Sequence, residues 1–210
     1  GRNLEVLNVI GESHSLSTHG EVVRYRDCEM KCVAEWIPGC KQWHLGNDKQ
    51  NKYKYKFEAV LKHLPRRSTI LLTIGEIDCR SDEGIMAAWK KSPDNSLEDI
   101  AQATTSRYVV YVAKIAKQFE HRIIVGGVAA TNQKLDMLTS EASRQFVSLI
   151  RAFNSMLKEQ ALSAGMDFLD VYALTDRGGG IANGEWHIDG IHLLPSAMTE
   201  VFSKHCTYAR

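Results

Sequence analysis

The 210-residue sequence predicts an α/β fold, a three-layer α/β/α sandwich around a mostly five-stranded parallel sheet. Three observations carry that expectation. Short apolar runs of strand length stop at glycine and acidic residues. Segments with apolar side chains at the 3.6-residue period lie between them. The two kinds alternate along the chain, which is the pattern of βαβ units with helices on both faces of a sheet. Hydrophobic residues make up 44% of the chain and charged ones 24%, enough of each for one domain, residues 1–210, to build its own core and a solvated surface.

The first strand is the run from Leu4 to Ile10, which stops at Gly11-Glu12-Ser13-His14-Ser15. Lys41–Leu45 is the expected second strand, ending at Gly46-Asn47-Asp48. Lys54–Leu64 carries Phe57, Val60, Leu61 and Leu64 on one helical face and is closed by Pro65. Ser68–Ile74 is a nearly continuous apolar strand that empties into Gly75-Glu76-Ile77-Asp78-Cys79-Arg80, and Ser81–Asn95 is expected to be an irregular loop over the site. Ser96 caps a long helix, with Ile100, Thr104, Tyr108, Val112 and Ile115 on its inner face. Arg122–Val128 is a strand, Ser140 opens a helix that Gly165 ends, and Phe168–Tyr172 is the last strand. Beyond a glycine-rich stretch, His187-Ile188-Asp189-Gly190-Ile191-His192 leads into a helix begun at Pro195.

Composition excludes several functions. A net charge of +1, with no long cluster of Lys and Arg, gives no field for nucleic acid or an anionic membrane. Lys49, Lys52, Lys54 and Lys56 alternate with Tyr53 and Tyr55, which fits either a basic rim for a substrate or a solvated helix start. The five cysteines, an odd number without framework spacing, place the expectation in a reducing, cytoplasmic compartment with buried free thiols. Cys28, Cys32, Cys40 and His44 match no familiar zinc spacing. No membrane-spanning run or signal peptide is visible, and no cofactor is called for. Gly1-Arg2 resembles a cloning remnant, leaving open a targeting segment or neighbouring domain ahead of it; oligomeric state is not fixed by the sequence.

Ligands of open α/β sheets sit beyond the carboxyl ends of the strands, where Ser13 would lie. A serine hydroxyl needs a base to take its proton, and the base needs a carboxylate to orient it and stabilise its charged form. Asp189 and His192, three residues apart, supply both. Backbone N–H groups at Ser13 and at a loop glycine such as Gly46 would hold a developing oxyanion, worth about 3 kcal/mol per donor.

Together these residues resemble the SGNH (GDSL-like) hydrolase superfamily over the whole chain. Gly11-Glu12-Ser13 matches its first block with Glu for Asp; Gly46, with Gly39 as the alternative, stands for the second; and Asp189 to His192 matches the fourth. In the third block Gly75 and Asp78 are kept, but Ile77 stands where the superfamily has an asparagine that helps bind the oxyanion. The resemblance implies a flavodoxin-like strand order, Ser-His-Asp chemistry and a small-molecule or glycan ester as substrate, foremost an O-acetyl group on a carbohydrate. Hydrolysis and acyl transfer to a sugar hydroxyl both remain open. Arg80 is expected either to replace the missing donor or to pair with Glu76, Asp82 or Asp78; His14 is expected to shape the substrate mouth. Trp89 and Trp186 fit a substrate pocket or the core. Two other classes compete: a degenerate glycan-binding module, for which Ile77 argues, and a metal-dependent hydrolase built on His187, Asp189, His192, Glu12 and Asp78.

Overall fold

A computed structural model of the chain describes residues 3–210, the side chain of residue 137 excepted; Gly1 and Arg2 lie outside the described residues. The strands are β1 (Glu5–Gly11), β2 (Val22–Tyr25), β3 (Cys28–Trp36), β4 (Thr69–Thr73), β5 (Arg122–Gly126), β6 (Asp167–Leu169) and β7 (Cys206–Thr207). They form one sheet in the order β2-β3-β1-β4-β5-β6-β7. The five inner strands, β3 to β6 in that order, are all parallel, and this is the expected flavodoxin-like arrangement. β2 and β7 add an antiparallel strand at each edge, which the sequence reading did not foresee.

Side chains alternate across the sheet. Ile70, Leu72, Ile123 and Val125 face one core with Phe57, Leu61, Tyr108 and Phe153; Leu71 and Ile124 face the other with Val201 and Phe202. The first core is covered by α1 (Gln42–Gly46), α2 (Lys52–His63), α4 (Leu97–Gln118) and α5 (Ser140–Ser163); the second by α6 (Val171–Thr175) and α7 (Ser196–Lys204). Both faces are therefore buried, as a parallel sheet requires.

Three expectations are corrected. Phe168–Tyr172 is strand only as far as Leu169, because Val171–Thr175 is α6. The second parallel strand is β3, not Lys41–Leu45, most of which lies in α1. β3 and β2 form a hairpin whose turn residues, Arg26 and Asp27, both have positive φ (46° and 62°), the twist-matched geometry of a two-residue loop. The third correction concerns Ser81–Asn95, which contains α3 (Ile85–Lys91), seated by the buried Ile85 and Met86. The lysine-rich stretch is the start of α2, capped by the Asn51 side chain on the N–H groups of Tyr53 and Lys54, so the helix-start reading holds.

The end of β1 passes unusually close to β4. A Cβ on Gly11 would lie 2.2 Å from Thr73 Oγ1 and 2.5 Å from the Thr73 carbonyl oxygen. Backbone cannot yield as a flexible side chain can, so Gly11→Ala is expected to cost about 2 kcal/mol through displaced strands. A shift in the urea midpoint checks this; an unshifted midpoint would mean the strands separate freely.

Candidate active site

β1 ends at Gly11, and the chain turns at once into a 3-10 turn, Ser13–Thr18. Glu12 caps that turn, its Oε2 accepting from the His14 N–H at 3.2 Å. On the opposite side of the site, Asp189 holds the 187–192 loop in shape: its Oδ1 accepts from the N–H groups of Ile191 (2.8 Å) and His192 (2.7 Å). Its Oδ2 lies 2.8 Å from His192 Nδ1. A carboxylate only accepts, so the ring hydrogen sits on Nδ1 and leaves the Nε2 lone pair free. That Nε2 is 2.9 Å from Ser13 Oγ. Burial pushes the Asp189 carboxyl up, but the two N–H groups and the His192 ring outweigh it and bring it down to about 2. Asp189 is therefore ionised at any pH at which the protein would work.

A cavity of about 70 Å³ opens behind this cluster. Glu12, His14, Gly75, Arg80 and Ile191 border it, and Val128, Phe146, Ile150, Leu194 and Met198 give it an apolar lining. The loop after β5, Gly127–Thr131, and the start of α7 form walls that the sequence reading did not single out. The signal was present: Gly126-Gly127 ends a strand just as Gly11 and Gly75 do. Gly75 itself has φ +150°, and a Cβ there would meet Gln42 Nε2 at 2.9 Å, so only glycine fits this wall.

Solved structures share this architecture. One is a protein from Slackia heliotrinireducens assigned as an SGNH hydrolase, 14% identical, with a TM-score of 0.56 over 96% of each chain. The fold is that of the SGNH hydrolases. A GDSL-like lipase from Bacteroides thetaiotaomicron is 14% identical, with a TM-score of 0.55 over 95% of this chain and 86% of that one. A single-residue variant of the acetyl xylan esterase Axe2 from Geobacillus stearothermophilus is 14% identical, with a TM-score of 0.53 over 95% of this chain and 91% of that one. No family model and no curated protein matches the chain.

Within this SGNH fold, the first and fourth sequence blocks meet at the carboxyl edge of the sheet, and the other two depart from expectation. Gly46 packs against α4, where a Cβ would lie 2.8 Å from Arg107 Cβ, and it lines a separate groove between α1, α3 and α4 rather than the cavity beside Ser13. Gly39 faces the Tyr53 ring. Asp78 is fully buried, and both its oxygens are taken by the N–H groups of Gln42 (2.7 Å) and Trp43 (3.1 Å) at the start of α1. Burial pushes its carboxyl up to about 7, against those two donors and the Lys41 charge.

Arg80 borders the cavity, but its Nε and Nη2 are held by the Glu76 carboxylate at 2.9–3.2 Å, so the ion-pair reading holds. Ile77 is buried and offers no donor. Trp186 packs on the α7 side of the core, and neither it nor Trp89 lines the cavity. Cys79 borders the cavity as a thiol that burial pushes well up, which leaves it protonated and unreactive. Among the described residues no group of three or more His, Cys, Asp or Glu is placed to hold a metal ion, and Asp78 is turned away onto α1. The cysteines are free thiols: Cys32, Cys40 and Cys79 are buried, while Cys28 and Cys206 are partly exposed. No helix among the described residues is long and apolar enough to cross a membrane.

Proposed function

We propose that the protein is a serine esterase of small acyl esters, with Ser13 as nucleophile, His192 as base and Asp189 as its orienting carboxylate. The observation that carries this reading is the unbroken series Ser13 Oγ to His192 Nε2 (2.9 Å) and His192 Nδ1 to Asp189 Oδ2 (2.8 Å). In the first step Ser13 Oγ bonds to the ester carbonyl carbon while its proton passes to His192 Nε2. The tetrahedral oxyanion then collapses, the alcohol leaves with the proton from His192, and an acyl-serine remains. Water, or a sugar hydroxyl in the transferase version, repeats the sequence and frees Ser13. The Ser13 N–H, first in its turn and without a partner inside it, is the oxyanion donor, with the Gly75 backbone beside the same cavity.

The acyl group is short. The apolar cavity of about 70 Å³, bordered by Glu12 and His14 on either side of Ser13, suits an acetyl or slightly longer chain. The likeness to an acetyl xylan esterase supports O-acetyl sugars as substrates. Ile77, with no amide to offer, favours a second reading in which the site recognises an acyl ester without turning it over.

Fluorophosphonate labelling read by intact mass decides between them. The wild-type protein is expected to gain one adduct at Ser13 and the Ser13→Ala variant none; an unlabelled wild type would leave the binding module standing. Acetate released from an activated ester in plain buffer marks a hydrolase, whereas release only with an added acceptor glycan marks a transferase.

A further inference from the structure

Two residues flanking Ser13 take no part in the steps above. Glu12, 1% exposed, presents a single oxygen, Oε2, to three groups: Ser13 Oγ at 3.1 Å, His14 N at 3.2 Å and His14 Nδ1 at 2.7 Å. The other ring nitrogen of His14, Nε2, is 3.0 Å from the Ile191 carbonyl oxygen. A carboxylate and a carbonyl both accept, so both ring nitrogens must carry hydrogen, and His14 is an imidazolium. Its ring stacks on His192 with centroids 4.7 Å apart and planes 25° from parallel.

Ser13 has one hydroxyl hydrogen and two acceptors, His192 Nε2 at 2.9 Å and Glu12 Oε2 at 3.1 Å. Only the first choice prepares it for attack. We propose that His14 is a positioning residue whose imidazolium neutralises Glu12, so that Ser13 turns its hydrogen to His192, and that loss of the His14 proton sets the alkaline limit of Ser13 reactivity. This rests on the serine-nucleophile reading above.

The groups around His14 favour the charged ring. Glu12 lies on its own turn, and Glu76 reaches it from the turn after β4. Arg80 from that same turn acts on Glu12, while His187, Asp189 and His192 lie on the C-terminal loop. Burial pulls His14 down, but the hydrogen bond and charge of Glu12, the charge of Glu76 and the Ile191 carbonyl outweigh it and raise it above the usual histidine value. As pH rises through that raised value the ring loses a proton and with it one of its two contacts. Glu12 then stands as an unneutralised carboxylate beside the oxygen that must become negative, and it competes for the hydroxyl hydrogen.

The test is the rate of Ser13 phosphonylation by a fluorophosphonate between about pH 5 and 10. In that step Oγ bonds to phosphorus, fluoride leaves, and the hydroxyl proton passes to His192. The wild-type rate is expected to rise and then fall on the alkaline side. H14Q is expected to be slower by about tenfold, the worth of roughly one pK unit of charge interaction, and to lack the alkaline fall. E12Q/H14Q is expected to regain most of the lost rate, because no carboxylate remains to be neutralised; a merely structural role for His14 would give no such rescue. E12Q alone must also lose the alkaline limb, which keeps the test valid should H14Q fail to fold. An alkaline limb that survives in H14Q or E12Q, or a double variant no faster than H14Q, overturns the proposal. A wild-type protein that takes no label at any pH overturns the serine-nucleophile reading itself.

Discussion

His192→Ala is expected to lower kcat/KM for an activated acetate ester by about 10⁴-fold or more, the loss seen when the base of a serine nucleophile is removed. The geometry explains why little remains. Without the ring, the only acceptor left to the Ser13 hydroxyl is Glu12 Oε2 at 3.1 Å, and that oxygen is already engaged by His14 Nδ1 at 2.7 Å. The fold should hardly notice: the His192 side chain is 28% exposed, and a change of about 1 kcal/mol or less is expected. Asp189→Asn is expected to fall by a comparable factor for a different reason. An amide cannot accept from the Ile191 and His192 N–H groups on one side and from the ring Nδ1–H on the other, so either the loop or the ring tautomer is lost. With the Asp189 carboxyl near 2, this loss should not vary with pH across the working range. Steady-state rates for both variants, alongside thermal melts, check the pair; a His192→Ala rate within about a hundredfold of wild type would place the base elsewhere, with Glu12 the first suspect.

Ser13, Asp189 and His192 were legible in the sequence because each sits in a local pattern. One follows an apolar strand that stops at glycine, and the other two are spaced so that a single turn joins carboxylate to imidazole. β3 was harder to read. Met30 and Cys32 are buried, while Glu29 and Lys31, which alternate with them, are exposed, so this strand alternates instead of running continuously apolar as the more central strands do. The assignment of Lys41–Leu45 as a strand, and with it Gly46 as an oxyanion donor, failed through contacts made at long range. α1 forms because a carboxylate from the turn after β4, far along the chain, receives its first N–H groups, and because His44 Nδ1 accepts from Lys41 N at 2.9 Å. Burial and the charges of Lys41 and Lys52 bring that imidazole down to about 4, so it is neutral and able to accept. Arg80 was legible only as a choice: Glu76 stood among its expected partners beside an oxyanion role, and the folded turn selects Glu76.

Asp78→Ala is expected to cost stability without touching Ser13. It removes the acceptor of two N–H groups at a fully buried site, and each orphaned donor costs about 1–3 kcal/mol, so a loss of about 3 kcal/mol is expected from denaturant midpoints. The pH dependence carries more information than the size. Burial holds the folded carboxyl at about 7, above its ordinary value of 3.8, so between those two values the folded state binds the proton that the unfolded chain has released. The stabilisation from Asp78 is then fully present below the lower value and is lost as pH rises through the upper one. The penalty of Asp78→Ala should therefore shrink as pH rises from about 4 to about 7 and level off above. A penalty that grows over that interval would mean that the two N–H groups and Lys41 win over burial and keep Asp78 ionised as a true helix cap. In either case the adjacent Cys79 and Arg80 border the cavity beside Ser13. Looser anchoring of this turn should therefore raise KM for a short ester before it lowers kcat, because the wall of that cavity moves while Ser13, His192 and Asp189 keep their mutual contacts.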